Sequence, residues 1–344
     1  MEDMRGKVVV VTGATGSIGK EIAFGLAARG AEVVLAARNI PKAQNVAKEI
    51  IKRTKNKNIR IEQVDLSSPV SISSFASRLS SSPPEGAKID VLVNNAAVIT
   101  SKKTLTPDGL ELQFATNVLS YFLLSTLLRP LLRNAAQSSK DSKKGSFSPS
   151  RIVNVASYAA GGLDINDLNY EKRRYDSNGA YMASKQANRM ISRAAAERFK
   201  DDGIIVHSCH PGVTTSNILR EFGMAQGFES ADAAAATPIF LASYEPASQL
   251  GTGKFWKDCR EAGCEFVRNK KAVDTLWDKC KAYCTKILGD AASSGAAPKR
   301  KLDTEEKKAS SAEETKGTTS KKLKSEEFSG SESATATGTD GSSA

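Results

Sequence analysis

Short apolar runs alternate with segments of helical periodicity from Lys7 to Cys209, and few folds accept that alternation. Lys7–Thr12, Ala31–Ala37, Ile59–Val64, Ile89–Asn94, Arg151–Ala156 and Ile204–Cys209 read as strands. Between them, residues 17–29, 41–53, 69–79, 110–133 and 178–200 read as helices. Strands separated by amphipathic helices form βαβ units around a parallel sheet. The runs VVVVT and KIDVLVN are continuously apolar rather than alternating, which fits strands covered on both faces. The expectation is an α/β, Rossmann-type doubly wound sheet in one domain over residues 1–289, followed by a low-complexity tail over 290–344. The tail is rich in Ser, Thr, Ala, Gly, Lys and Glu, with few large apolar residues, and is expected to be disordered. Ser138–Ser150 is polar and contains Gly, Pro and Ser, and reads as an exposed loop.

Composition excludes some classes. Hydrophobic residues make up 40% of the 344 and charged residues 25%, a globular mixture. No run approaches the roughly 18 apolar residues of a membrane helix, and the first apolar run, Val8–Val11, is too short for a secretory signal. The five cysteines are odd in number, which with no signal predicts reduced thiols in a cytoplasmic setting. Cys280 and Cys284 are four apart; helical packing of small residues accounts for them better than zinc, and no metal is expected. Net charge is +11, and the tail from Asp290 holds nine basic against ten acidic residues. The basic excess therefore belongs to the folded part, where it suits an anionic cofactor. No aromatic-interleaved basic patch points to specific nucleic-acid binding.

The first strand runs into Thr12-Gly13-Ala14-Thr15-Gly16-Ser17-Ile18-Gly19, and a helix follows. Glycines there let the backbone approach a pyrophosphate, and the helix start offers N–H groups to it. The second strand ends at Arg38, where an acidic residue would favour NAD; a cation suits the 2′-phosphate of NADP. Tyr181 and Lys185 are four apart and share a helix face. An adjacent ammonium is expected to lower the phenol's pKa, so that the tyrosine can exchange a proton with a reacting oxygen. Ser157, just past the fifth strand, is placed to hydrogen-bond the same oxygen.

These pieces resemble the short-chain dehydrogenase/reductase family over residues 5–288. The resemblance rests on TGATGSIGK, Asn94-Asn95-Ala96-Ala97, Asn117, Ser157, Tyr181/Lys185 and Pro211-Gly212-Val213-Thr214. DLNYEKRRYDSNGAYMASKQAN, GKFWKDC and TLWDKC are most similar to the retinol dehydrogenase-like and protochlorophyllide reductase-like branch. The resemblance implies catalytic roles for Asn117, Ser157, Tyr181 and Lys185, with Asn117 holding a water in a proton relay. It implies cofactor contacts from Gly13, Thr15, Gly16, Ser17, Ile18 and Gly19, from Arg38, from Asp65 and Leu66 beside the adenine, and from Asn94 and Ala96. Lys185 would also hold the ribose, and Pro211, Gly212, Val213 and Thr214 would meet the nicotinamide amide. Residues 215–227 would form the substrate loop. Read singly, Asp65 is equally a helix N-cap and Asn117 a solvated helix residue.

Two features depart from the family pattern. Ser17 stands where a glycine is usual, giving Gly13-x-x-Gly16-x-x-Gly19 as in epimerases and dehydratases of the extended branch. The chain also begins almost at its first strand, without the anchor of membrane-bound retinol dehydrogenases. The expectation is an NADP(H)-dependent enzyme acting on an apolar carbonyl or alcohol. A silent cofactor-binding scaffold and an epimerase or dehydratase are the alternatives. A homodimer and a cytoplasmic location go with the resemblance. Pro298-Lys299-Arg300-Lys301 and Lys321-Lys322-Leu323-Lys324 resemble nuclear import signals, or are solvated charge runs. His207 and His210 alternate about the sixth strand and read as packing residues.

Overall fold

In a computed structural model, residues 2–81, 87–140 and 148–293 are described. The import-like basic motifs and the rest of the tail lie outside them. Strands β1 (Val8–Thr12), β2 (Glu32–Ala37), β3 (Ile59–Gln63), β4 (Val91–Asn94), β5 (Ser150–Val155), β6 (Ile204–Cys209), β7 (Phe255–Lys257) and β8 (Arg260–Ala262) form one sheet. Their order is β3-β2-β1-β4-β5-β6-β7-β8. All neighbours pair in parallel except β7 and β8. The doubly wound parallel sheet expected from the sequence is present. The last two strands, three residues each, form a hairpin whose turn residues Asp258 and Cys259 both take positive φ, matching the twist of such a turn.

Helices α1 (Ser17–Ala28), α2 (Ile40–Thr54) and α3 (Pro69–Ser80) follow the first three strands. Local chemistry starts two of them: Asn39 accepts from the Lys42 N–H and Ser68 from the Ser71 N–H, each ahead of a first-turn proline. Ser68, not Asp65, is thus the N-cap of α3. Asp65 instead accepts from the N–H and hydroxyl of Ser67.

The long helix expected over 110–133 is broken. It comprises α4 (Leu112–Phe114), a π-helical turn at Ala115–Leu119, α5 (Ser120–Leu127) and α6 (Arg129–Lys140). The π turn coincides with Asn117, whose side chain is paired with the main chain of Val98. Such an insertion re-aims side chains without ending the helix. Helix α6 also carries into the segment read as a loop from Ser138. Helices α7 (Ser177–Phe199), α8 (Asn217–Glu221), α9 (Ala231–Ser243) and α10 (Lys270–Ser293) complete the chain, α10 passing the boundary expected at 289.

One face of the sheet is covered by α1, α2 and α9, around Ile22, Leu26, Val46, Ile50 and Leu241. The other is covered by α3, α5, α7 and α10, around Phe75, Phe122, Met190, Phe199 and Trp277. Cys280 and Cys284 are buried in the latter layer. Among the described residues no group of three or more His, Cys, Asp or Glu is placed to hold a metal, and no helix is long and apolar enough to cross a membrane.

Trp277 fixes α10. It is 7% exposed and meets Phe122 and Phe199 edge-on, at centroid distances of 4.6 and 5.9 Å. Replacing it by alanine should cost about 3–5 kcal/mol, read as a lower urea midpoint; a loss below about 1 kcal/mol would show that α10 is not part of the core.

Candidate active site

The carboxyl ends of β1, β2, β4, β5 and β6 open onto one cavity of about 630 Å³. The turn after β1 forms its floor. Gly13 takes φ +64°, and a Cβ there would lie 2.7 Å from the Cα of Ala96, so the turn can reach this depth only with glycine. Gly16 is the N-cap of α1, has no side-chain cap, and leaves the first-turn N–H groups to the cavity, with no acidic residue in that turn. Ser17 and Ile18 begin the helix on the wall, so the position lacking the usual glycine still contributes to the cavity.

The cavity's charge is one-sided. Arg38 and Lys42 stand at one end, Lys185 at the centre and Arg220 on the loop opposite, and no carboxylate is in the wall. An uncapped twelve-residue helix and the cations Arg38, Lys42 and Arg220 favour a polyanion. The residues therefore fit a dinucleotide cofactor, and Arg38 with Lys42 fits the extra phosphate of NADP.

Helix α7 brings Tyr181 and Lys185 to the cavity from below. The Lys185 Nζ donates to the Val155 carbonyl at 2.9 Å and lies 5.4 and 5.8 Å from the ring centroids of Tyr181 and Tyr121. Lys185 is 1% exposed, and burial pulls its pKa down to about 7. Burial likewise pushes the Tyr181 phenol well up. The lowered phenol pKa expected from the Tyr/Lys spacing is therefore not found. Desolvation outweighs the neighbouring amine here, and Tyr181 carries its proton at neutral pH. Phe222 packs edge-on against Tyr181 at 5.2 Å.

Of the remaining candidates, Asn117, Ser157, Asn94, Asp65 and Leu66 are not in the cavity wall. Asn117 is fully buried rather than solvated; its amide accepts from the Val98 N–H and donates to the Val98 carbonyl and to Ser184 Oγ. Its side chain ties the π turn to the chain after β4 and to α7. Ser157 lies just past β5, and its hydroxyl accepts from the Ala159 N–H at 3.1 Å. Asn94 is fully buried and donates to Asn154 Oδ1, behind the wall. Asn95 takes its place, facing the cavity and donating to the Thr12 carbonyl at 3.0 Å. Asp65 and Leu66 lie outside the wall, Leu66 packed on the core. Of Pro211–Thr214, only Pro211 reaches the cavity; Val213 instead accepts from the N–H groups of Phe228 and Glu229. That pairing closes a neck from which residues 215–227 project, and Thr215, Ser216, Asn217 and Ile218 line the cavity.

The comparisons agree with this geometry. Residues 7–226 match the short chain dehydrogenase family. This chain belongs to that family. The chain is 35% identical over 289 residues to retinol dehydrogenase 13 of Mus musculus, covering 79% of this chain and 82% of the relative. It is 37% identical over 284 residues to retinol dehydrogenase 12 of Mus musculus, covering 79% and 84%. It falls in the retinol dehydrogenase-like branch. Among solved structures it resembles the Pseudomonas aeruginosa RhlG/NADP active-site complex, with TM-score 0.57 and 26% identity over 74% of this chain and 94% of that one.

Several residues at or beside the cavity carry no mark that the sequence motifs single out. Tyr121 reaches the Ala96 carbonyl at 3.0 Å and the Val155 carbonyl at 3.4 Å, sharing the latter with Lys185. Its place one turn after Asn117 was the available signal. Lys42 had one too, following Arg38 by a helical turn. His210 and His207 are packed as expected: His210 Nδ1 accepts from the Tyr158 N–H, and His207 Nδ1 from the Trp256 indole. Burial lowers both to about 4.

Lys185 makes a testable demand on stability. Its folded-state pKa of about 7 lies below the ordinary 10.5, so the unfolded chain binds the extra proton between those values. The cost of charging it is full below pH 7 and fades as pH rises toward 10.5. Lys185→Met should therefore be more stable than the parent at pH 6.5, by an advantage that shrinks through that window. Urea unfolding across pH checks this; a difference independent of pH would contradict it.

Proposed function

We propose that this chain is an NADP(H)-dependent oxidoreductase that reduces an apolar carbonyl compound to its alcohol. The observation that carries the reading is a cavity joining an uncapped helix start and the three cations Arg38, Lys42 and Arg220, without a carboxylate, to Tyr181 beside Lys185. The loop from Gly13 to Gly19 would hold the pyrophosphate, Arg38 and Lys42 the 2′-phosphate, and Asn95 and Ala96 the face beyond it. Pro211, which reaches the cavity, is proposed for the nicotinamide end. When bound, the cofactor supplies the hydride.

This chain's residues supply the proton and the orientation. Tyr181 would donate its phenolic proton to the substrate's oxygen as negative charge develops there. The Ser157 hydroxyl, whose oxygen accepts from the Ala159 N–H, would donate its own proton to the same substrate oxygen, stabilising that charge. Lys185, drawn down by burial, would regain its proton near phosphate and ribose groups and help Tyr181 release its own. Asn117 would hold α7 and the chain after β4 in register, and the relay water suggested by the family would have to use its main chain, because the amide is engaged. A phenol protonated at neutral pH favours reduction over oxidation. An apolar substrate is supported by Ile218 in the wall and by Phe222 against Tyr181. The names of the retinol dehydrogenases and of the NADP complex point the same way.

Two variants test the reading. Tyr181→Phe should lower kcat for NADPH-driven aldehyde reduction by about 100-fold or more, with NADPH affinity within about twofold; full activity would refute the proton donor. Arg38→Ala should raise the NADPH Kd about tenfold, equivalent to about 1.4 kcal/mol, and leave NADH unchanged in a fluorescence titration. Equal losses for both cofactors would refute the 2′-phosphate role. Tight NADPH binding by the parent without turnover of any carbonyl would favour a scaffold.

A further inference from the structure

Arg189 follows Tyr181 by eight residues and Lys185 by four, so the three share a face of α7. It is 6% exposed. Its guanidinium lies 3.7 Å from the ring centroid of Phe255 and 5.4 Å from that of Phe266. Among the described residues no carboxylate forms an ion pair with it, and its Nε has no hydrogen-bond partner. A buried guanidinium without a carboxylate costs stability, and an apolar side chain would suit these rings better. Besides its contact with the Cys264 side chain, the guanidinium makes a bond that no apolar side chain could make: Nη2 donates to the main-chain carbonyl of Ser157.

That bond is one of three restraints on a short segment. The Tyr158 N–H donates to His210 Nδ1 at 3.2 Å, and the Ala159 N–H donates to Ser157 Oγ at 3.1 Å. His210 belongs to the end of the sheet, and the Ser157 bond is internal to the segment. Among the described residues, Arg189 alone hydrogen-bonds residue 157 to the helix that bears Tyr181 and Lys185. The other tie between these parts lies further along, from the Gly161 N–H to the Met182 carbonyl at 3.2 Å.

We propose that Arg189 is a positioning residue, setting the spacing between the Ser157 hydroxyl and the Tyr181 phenol by holding the Ser157 carbonyl to α7. The proposal rests on the reading that both groups meet at one substrate oxygen. A displacement of about 1 Å at such a centre can lower the rate about 100-fold. Cofactor binding has no such dependence, because Arg189 is not in the cavity wall.

The experiment compares the parent, Arg189→Met, Ser157→Ala and the double variant. Each is assayed for NADPH-driven reduction of one apolar aldehyde, for NADPH affinity and for amide hydrogen exchange of residues 157–161. Arg189→Met should lower kcat about 10- to 100-fold, with NADPH Kd within about twofold of the parent and exchange of 157–161 at least about tenfold faster. In the Ser157→Ala background the same change should cost no more than about threefold, because the group it positions is gone. Arg189→Lys, which keeps a donor, should recover part of the rate, and it carries the cycle if the methionine variant does not fold. Additive losses, or unchanged exchange at 157–161, would overturn the proposal. A parent that binds NADPH but turns over no carbonyl would refute the reductase reading, and the exchange measurement would still decide whether Arg189 holds the segment.

Discussion

The bond from Lys185 Nζ to the carbonyl of Val155 determines how this molecule is arranged. A primary amine has been taken out of water at a place where no carboxylate meets it. What receives it is the last carbonyl of β5, which is available because the sheet ends there. The same oxygen accepts from Tyr121 on α5, so one atom joins a strand and two helices. Tyr181 is carried to the cavity by the helix that this bond positions. The lowered pKa of Lys185 and the raised pKa of Tyr181 are both consequences of that burial.

The rest of the cavity is organised around negative charge. The turn after β1 brings a bare helix start to its floor, and Arg38 and Lys42 add two cations at the end of β2. Across the opening, the neck formed by Val213 with Phe228 and Glu229 projects the segment bearing Arg220 and Phe222. Arg220 lines the cavity, and Phe222 lies on Tyr181. A ligand that engages Arg220 therefore adjoins the segment that covers Tyr181.

Much of this was legible in the sequence, for identifiable reasons. Strands covered on both faces appear as uninterrupted apolar runs, so β1 and β4 were readable from VVVVT and DVLVN. The glycine turn and the Tyr181/Lys185 spacing were readable because backbone room and helix pitch leave marks at fixed intervals. The π turn at Ala115–Leu119 was not, because it depends on a bond between Asn117 and the distant Val98. Asn94 was favoured over Asn95 because the motif does not show where β4 ends; the strand closes at Asn94, which turns toward Asn154, and the next residue faces the cavity. The hairpin of β7 and β8 is too short for a period to show. The protonation of Tyr181 was out of reach, since spacing reveals a neighbour's charge but not how much water the fold removes. Arg189 was visible as one more residue on the Tyr181 face, yet nothing local marks the carbonyl it meets.

The central claim is that this cavity passes a hydride to a carbonyl carbon while Tyr181 supplies the proton. NADPH carrying deuterium at the transferable position of its nicotinamide, incubated with the protein and an apolar aldehyde, tests it directly by mass spectrometry of the alcohol. The account predicts alcohol with one deuterium on the former carbonyl carbon, formed in step with cofactor oxidation. Cofactor bound but never oxidised across a panel of aldehydes and ketones, or alcohol formed without the label from cofactor deuterated on either face, would contradict it.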